Sequence, residues 1–182
     1  MLRGERVVLR PTERADLQQL WALLEDLDVV VRADSGPPLP KSLAAYEEQF
    51  DRGVKDPSKD QIWLTIEVDG QLVGDGGLLD IDYFDQRCEL GIALGRDHWG
   101  RGFGQEAVGL LVGYAFAYLK MNRVGLKVLA DDPRAVGAYR KAGFIEEGRL
   151  REHHWVGGEF HDLLVMSIMR AEWTASSDPE ST

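Results

Sequence analysis

The sequence predicts a single α/β domain, and three observations predict it. Residues 62–68 alternate apolar and polar side chains as a half-buried strand does. A glycine loop at 99–104 opens directly into an apolar helix, and an Asp-Asp-Pro start at 131–133 opens another helix after a second alternating stretch. Strands and helices interleaved in this way pack the helices against a sheet. A chain of 182 residues suffices for one such domain with a sizeable core, and 44% hydrophobic with 29% charged residues is ordinary for a globule.

Val7, Val8 and Leu9 make a first short strand that Pro11 ends. Thr12 or Asp16 then caps a helix reaching about residue 27, with Leu17, Leu20, Leu24 and Leu27 as its buried stripe. Residues 29–40 turn irregular around Gly36, Pro37, Pro38 and Pro40, as a substrate loop or as a passive connection, and a short helix spans about 42–52. Asp69-Gly70 is a tight turn from 62–68 into a second strand that bends at Gly74, Gly76 and Gly77 and ends near Asp82. A third strand, 87–94, puts Cys88, Leu90, Ile92 and Leu94 on one face and Arg87, Glu89, Gly91 and Ala93 on the other. Small residues beside Glu89 leave room for a ligand; the alternative is that Glu89 simply pairs with Arg87.

The stretch 99–107 reads WGRGFGQEA, with Gly100, Gly102 and Gly104 baring the backbone on alternate residues. The first amides of a helix have no partner within it and carry partial positive charge, so an anion fits there, and with Arg101 alongside a pyrophosphate fits best. The loop is not a P-loop, because Gln105 and Glu106 stand where Lys and Ser or Thr belong, and G-x-G-x-G is not the dinucleotide fingerprint. The helix that follows runs to about Lys120 and is apolar over most of its circumference, with Gly109 and Gly113 on a side where another backbone is expected. A strand over 124–130 leads to Asp132 as helix cap and Pro133 at the first helical position, and Gly143 closes that helix. Tyr139, on a stripe with Ala135, Ala138 and Ala142, is either core filler or the one side chain there with reach and a proton. A strand from Phe144 and a hairpin turning at Gly157-Gly158 complete the sheet; 174–182 reads as a disordered tail beyond a domain of residues 1–173.

A net charge of −10 argues against a nucleic-acid partner and suits either cationic substrates or plain solubility. Cys88 is alone, which excludes an internal disulfide, and His98, His153, His154 and His161 lack metal-ligand spacing, so no metal is expected. Without a secretory h-region or a run of 18 apolar residues, neither export nor membrane spanning is expected, and a cytoplasmic location follows.

With the glycine loop, its helix and the DDPRAVGAYRKAGF segment, the chain over Arg6 to Trp173 resembles the GNAT superfamily of acyl-CoA-dependent N-acetyltransferases. The LRP start, ELGIAL followed by HWGRGFGQEA, and the AGFIEEGRLREHHWVGGEFHDLL ending are most similar to the branch that acetylates ribosomal-protein N-termini, which itself resembles polyamine and aminoglycoside acetyltransferases. The resemblance implies an α/β (α+β) GNAT fold, with a mixed twisted sheet of about six or seven strands, splayed central strands and three or four flanking helices. It implies acetyl-CoA as acyl donor and an amine acceptor, first a protein N-terminal α-amine and alternatively a polyamine or aminoglycoside; a non-catalytic acyl-CoA-binding module is the reading from another class, and a homodimer is admitted. Cofactor contacts fall on Ile92, Ala93 and Leu94, on Trp99, Gly100, Arg101, Gly102, Phe103, Gly104 and Gln105, and on Asp132 and Arg134. Trp99 replaces the family's polar first loop residue, and Asp132 stands where an Asn is frequent. An amine of pKa about 8 to 10 must lose a proton before it attacks, for which Glu89 is the first candidate, with Asp80 and Asp82 in reserve. Tyr139 matches the tyrosine that protonates the leaving thiolate.

Overall fold

Asp69 and Gly70 both take positive φ, 52° and 75°, the geometry that lets β3 (Ile62–Val68) turn straight back as β4 (Gln71–Asp82). The structure, a computed structural model, describes residues 1–33 and 38–177, without the side chains of Leu24 and 174–177. The glycine cluster of β4 bends as expected: pairing with β3 shifts register between Ile66 and Glu67, and a Cβ at Gly74 or Gly77 would collide with the carbonyl oxygen of Ala93 or Ile62. β4 pairs antiparallel with β5 (Arg87–Leu94). β5 pairs parallel with β6 (Arg123–Leu129), but only over Arg87, Cys88 and Glu89, and the two strands then separate. β7 (Ile145–Val156) and β8 (Glu159–Met169) form the closing hairpin, with β8 against β6, while β1 (Leu2–Arg3) and β2 (Val7–Pro11) extend the other edge. The described residues thus form one mixed eight-stranded sheet in the order β1-β2-β3-β4-β5-β6-β8-β7, splayed at its centre; the two-residue β1 is the strand beyond the expected count.

The helix expected to reach residue 27 is two, α1 (Leu17–Leu24) and α2 (Leu27–Ala33). Asp26 restarts the chain: its side chain accepts the amide of Asp28 and its carbonyl those of Val29 and Val30. Leu17 and Leu20 are buried, Leu27 is exposed, and the Leu24 side chain lies outside the described residues. α2 therefore occupies the start of the segment read as irregular, of which 34–37 lie outside the described residues. α3 (Leu43–Lys55) starts at the predicted Ser42, whose hydroxyl accepts the amide of Ala45.

α4 (Phe103–Ala117) ends one turn before Lys120, which takes φ +59°. It fills one face of the sheet, with Leu111, Ala115 and Phe116 fully buried among Leu9, Ile66, Leu78 and Leu126. A Cβ at Gly109 would meet nothing and one at Gly113 only the Trp173 ring, so no second backbone approaches there. α5 (Pro133–Lys141) is the short helix after β6, and α6 (Arg170–Ser177) follows β8. Arg170 donates to the carbonyls of Met121 and Phe116, and Trp173 packs 5.7 Å from the Phe116 ring, which anchors α6. The tail expected to be disordered is therefore helical over 174–177, while 178–182 lie outside the described residues. α1 and α2 pack against β4 and β5 on the face opposite α4, where Thr65, Asp75, Glu89 and Ala93 point.

Candidate active site

Parallel pairing of β5 with β6 ends at Glu89 and Gly125, and a cleft of about 390 Å³ opens where the strands part. Ile92, Ala93 and Leu94 line it from β5 and Val128 from β6; the glycine loop, the first turns of α5 and the end of α2 enclose it. Beyond Glu89 the edge of β5 that faces β6 has no ladder partner, so its backbone groups are free to bind something in the cleft.

The loop is shaped as the alternating glycines predict. Gly100 and Gly102 take φ of 71° and 85°, which few other residues tolerate, and Gly102 sits at the N-cap of α4. Among the described residues no group accepts the amides of 100–105, the first being Glu106 N–H to the Gly102 carbonyl. An anion at this helix start meets a row of fixed donors. Trp99 donates from its indole Nε1 to the Leu94 carbonyl at 2.7 Å, tying the loop to the end of β5, and the Arg134 guanidinium stacks on its ring at 3.9 Å. Glu106 fixes the other side: its Oε1 accepts the amides of Arg6 and Val7 at 2.8 and 3.0 Å. Burial works against that carboxylate, but the two amides outweigh it and hold its pKa below the usual value.

Of the loop residues assigned to the cofactor, Trp99, Gly100, Gly102, Gly104 and Gln105 line the cleft; Arg101 and Phe103 do not. Arg101 turns outward, its carbonyl accepting from Arg6, and the Phe103 ring is buried in the core beneath Arg6. Apolar burial claims that ring, so only the Phe103 backbone amide is left to meet a cofactor.

Asp132 and Arg134 also line the cleft. The Asp132 carboxylate caps α5 through the Ala135 amide at 3.0 Å, and Arg134 and Arg32 reach it at 3.0 and 3.4 Å. Burial opposes its ionisation, but the Ala135 amide and the Arg134 charge prevail and keep its pKa low. The site thus accommodates a carboxylate in place of the family's Asn by supplying arginines. Arg32 of α2 had no sequence signal, since its partner lies 100 residues away.

Tyr139 lines the cleft and packs edge-on against Phe144, ring centroids 5.9 Å apart. Burial pushes its phenol up to about 12, so it is neutral and a donor at working pH. Glu89 lies outside the cleft lining, at the point where β5 and β6 part, with its carboxylate over Gly125. Arg87 instead pairs with Asp82 and Asp85, so the structural alternative for Glu89 is not realised, and among the described residues Glu89 has no ion pair. Burial raises its pKa, against the opposing charge of Lys127. Asp82 accepts the amides of Phe84 and Asp85 and serves the turn; Asp80 is exposed on a bulge at φ +49°. Neither reserve candidate is among the residues lining the cleft, and the Asp80 charge adds to the rise in the Glu89 pKa.

Asp75 escaped the sequence reading. It is 8% exposed, directly opposite Ala93 across the β4–β5 ladder, and accepts from the Trp63 indole at 2.7 Å. Its signal was a carboxylate amid the glycines and apolar residues of one strand.

Residues 6–145 match the family model described as an acetyltransferase (GNAT) domain. A spermidine N(1)-acetyltransferase of Vibrio cholerae serotype O1 is 25% identical, covering 96% of this chain and 99% of its own. A putative ribosomal N-acetyltransferase of Bacillus subtilis is 31% identical, over 58% of this chain and 57% of its own. A crystal structure of spermidine N-acetyltransferase from Vibrio cholerae in complex with CoA and spermine matches with a TM-score of 0.85 at 26% identity, covering 94% of this chain and 99% of that one.

Proposed function

The chain belongs to the GNAT acetyltransferase domain family and is an acyl-CoA-dependent N-acetyltransferase, and within that activity we propose that its acceptor is a primary amine of a polyamine. The observation that carries the proposal is Glu89: a half-buried carboxylate beside the cleft, on the face opposite α4, with no ion pair among the described residues, although the charges of Lys127 and Arg123 act on it from a distance. A polycationic acceptor supplies the direct partner that Glu89 lacks, and the net charge of −10 draws such acceptors in. The full-length relative named for spermidine and the CoA and spermine complex of similar fold support the same acceptor.

The residues of the cleft suit acetyl-CoA, whose thioester supplies an activated acyl group on a good leaving thiol. The free amides of 100–105 receive the pyrophosphate, and Arg134, stacked on Trp99, adds a cation at the mouth. Backbone groups of 92–94 on the edge facing β6, where β5 has no ladder partner, orient the pantetheine and polarise the carbonyl. Glu89 accepts the ammonium proton, directly or through water, and Tyr139 returns a proton to the departing sulfur. These assignments are ours.

A protein N-terminal α-amine, the acceptor that the resemblance puts first, has narrower support, since the ribosomal-type relative matches over 58% of this chain. Thiol release from acetyl-CoA, followed with spermidine, spermine, kanamycin and a peptide with a free N-terminus, tests the choice. We expect kcat/KM for the polyamines to exceed the others by about tenfold or more, as a charge-matched site should discriminate. A peptide turned over fastest would overturn it.

A further inference from the structure

The face opposite α4 carries a second feature that the reaction outlined above does not use. Asp75 and Ala93 are directly opposed across β4 and β5, as are Gly77 and Gly91, and Leu79 and Glu89, so all six side-chain positions lie on that face. The Trp63 ring seats over the two glycines: a Cβ on Gly77 would lie 2.7 Å from it and one on Gly91 3.3 Å. Trp63 is 40% exposed, and its Nε1 donates to Asp75 at one end of the row. Glu89 stands at the other end, four residues along the strand, about 13 Å away at 3.3 Å per residue.

Neither carboxylate has an ion pair among the described residues; the charges of Lys127 and Arg123 act on Glu89 from a distance, and no cation acts on Asp75. For Asp75 this is costly, because a buried charge without a partner is unfavourable. Burial lifts its pKa to about 6, with the Trp63 N–H opposing, so it is still ionised at neutral pH. Burial, and after it the Asp75 charge, push the Tyr46 phenol up to about 12, which puts α3 over this end of the row. Two anions with an indole face between them match an extended chain with ammonium groups at both ends, whose methylenes, and in a triamine the central secondary ammonium by cation–π contact, lie on the indole. A triamine with three- and four-carbon spacers spans nine bonds, or about 11 Å at about 1.2 Å per bond.

We propose that Asp75, Trp63 and Glu89 form one acceptor track, in which Asp75 binds the second, non-reacting ammonium group of a polyamine while its methylenes lie on Trp63. This rests on the polyamine reading above and adds to it a residue that selects acceptors with two separated charges. Asp75 is a binding residue here, and Trp63 positions it.

The test compares spermidine with hexylamine as acceptors for the unaltered enzyme, Asp75→Asn and Trp63→Phe, with coenzyme A affinity measured on each as a control for the fold. Asp75→Asn should raise KM for spermidine by about tenfold to a hundredfold with kcat nearly kept, collapsing the preference for spermidine over hexylamine. Trp63→Phe, which keeps a ring but loses the donor, should reduce that preference by a smaller factor and reports even if Asp75→Asn folds poorly. An unchanged preference in either variant that retains coenzyme A affinity overturns the track. If the unaltered enzyme does not acetylate spermidine at all, the polyamine reading falls and the track with it.

Discussion

Glu89 and Tyr139 have opposite duties toward the proton, and pH separates them. Burial raises the Glu89 pKa, so its base form, and with it the rate, should appear as pH rises through a value above the ordinary carboxylate range. Glu89→Gln should lower turnover by roughly 10² to 10⁴-fold and leave a rate that climbs with pH as free amine accumulates. Tyr139, with its phenol near 12, stays a donor throughout; Tyr139→Phe should depress kcat at every pH below about 9 and spare coenzyme A affinity. Full kcat against pH for both variants, with a true acceptor, checks this, and unaltered profiles would remove the two residues from the chemistry. Asp75 affects stability instead. Its folded pKa of about 6 exceeds the ordinary 3.8, so the folded state binds the extra proton and stability falls as pH rises from about 4 to about 6. Asp75→Asn should therefore melt higher than the unaltered chain above pH 6, by the equivalent of up to about 3 kcal/mol, and lose that advantage below pH 4; thermal melts at both ends measure it.

At the scale of elements, the parts legible in the sequence were those built from near neighbours. The Asp69-Gly70 hairpin, the Asp132-Pro133 helix start and the glycine loop each rest on residues within a turn of one another, so their spacing carried them. The break between α1 and α2 did not show, because Asp26 and Asp28 are held by Arg96 from the far end of β5, 70 and 68 residues away. The same holds for Arg32 on Asp132, and for Phe103, whose place in the core depends on what packs above it. For the loop the expected outcome is specific. Gly104 is helical and faces the cleft, where an added Cβ would sit 3.4 Å from the Leu94 side chain. Gly104→Val should leave the melting temperature nearly unchanged, as helix propensity favours Val over Gly. It should weaken coenzyme A by about tenfold, about 1.4 kcal/mol, by standing between anion and amides. Calorimetric titration distinguishes this from a loop that only ends a strand, for which the affinity would not move.

For the whole molecule, three features converge on one reaction: a sheet that splays beyond Glu89 and Gly125, a helix start with free amides at one end of the gap, and an acidic face at the other. The splay was anticipated only through the family resemblance, since no local pattern says where two parallel strands part. The acceptor was legible only as an amine, because the groups we propose to select it, Glu89, Trp63 and Asp75, are assembled from three strands. The most direct test is a competition: the enzyme, limiting acetyl-CoA, and equal concentrations of spermidine and a peptide with a free α-amine, with the products weighed by mass spectrometry. The account predicts spermidine one acetyl group heavier as the dominant product, and acetylated peptide in excess would contradict it.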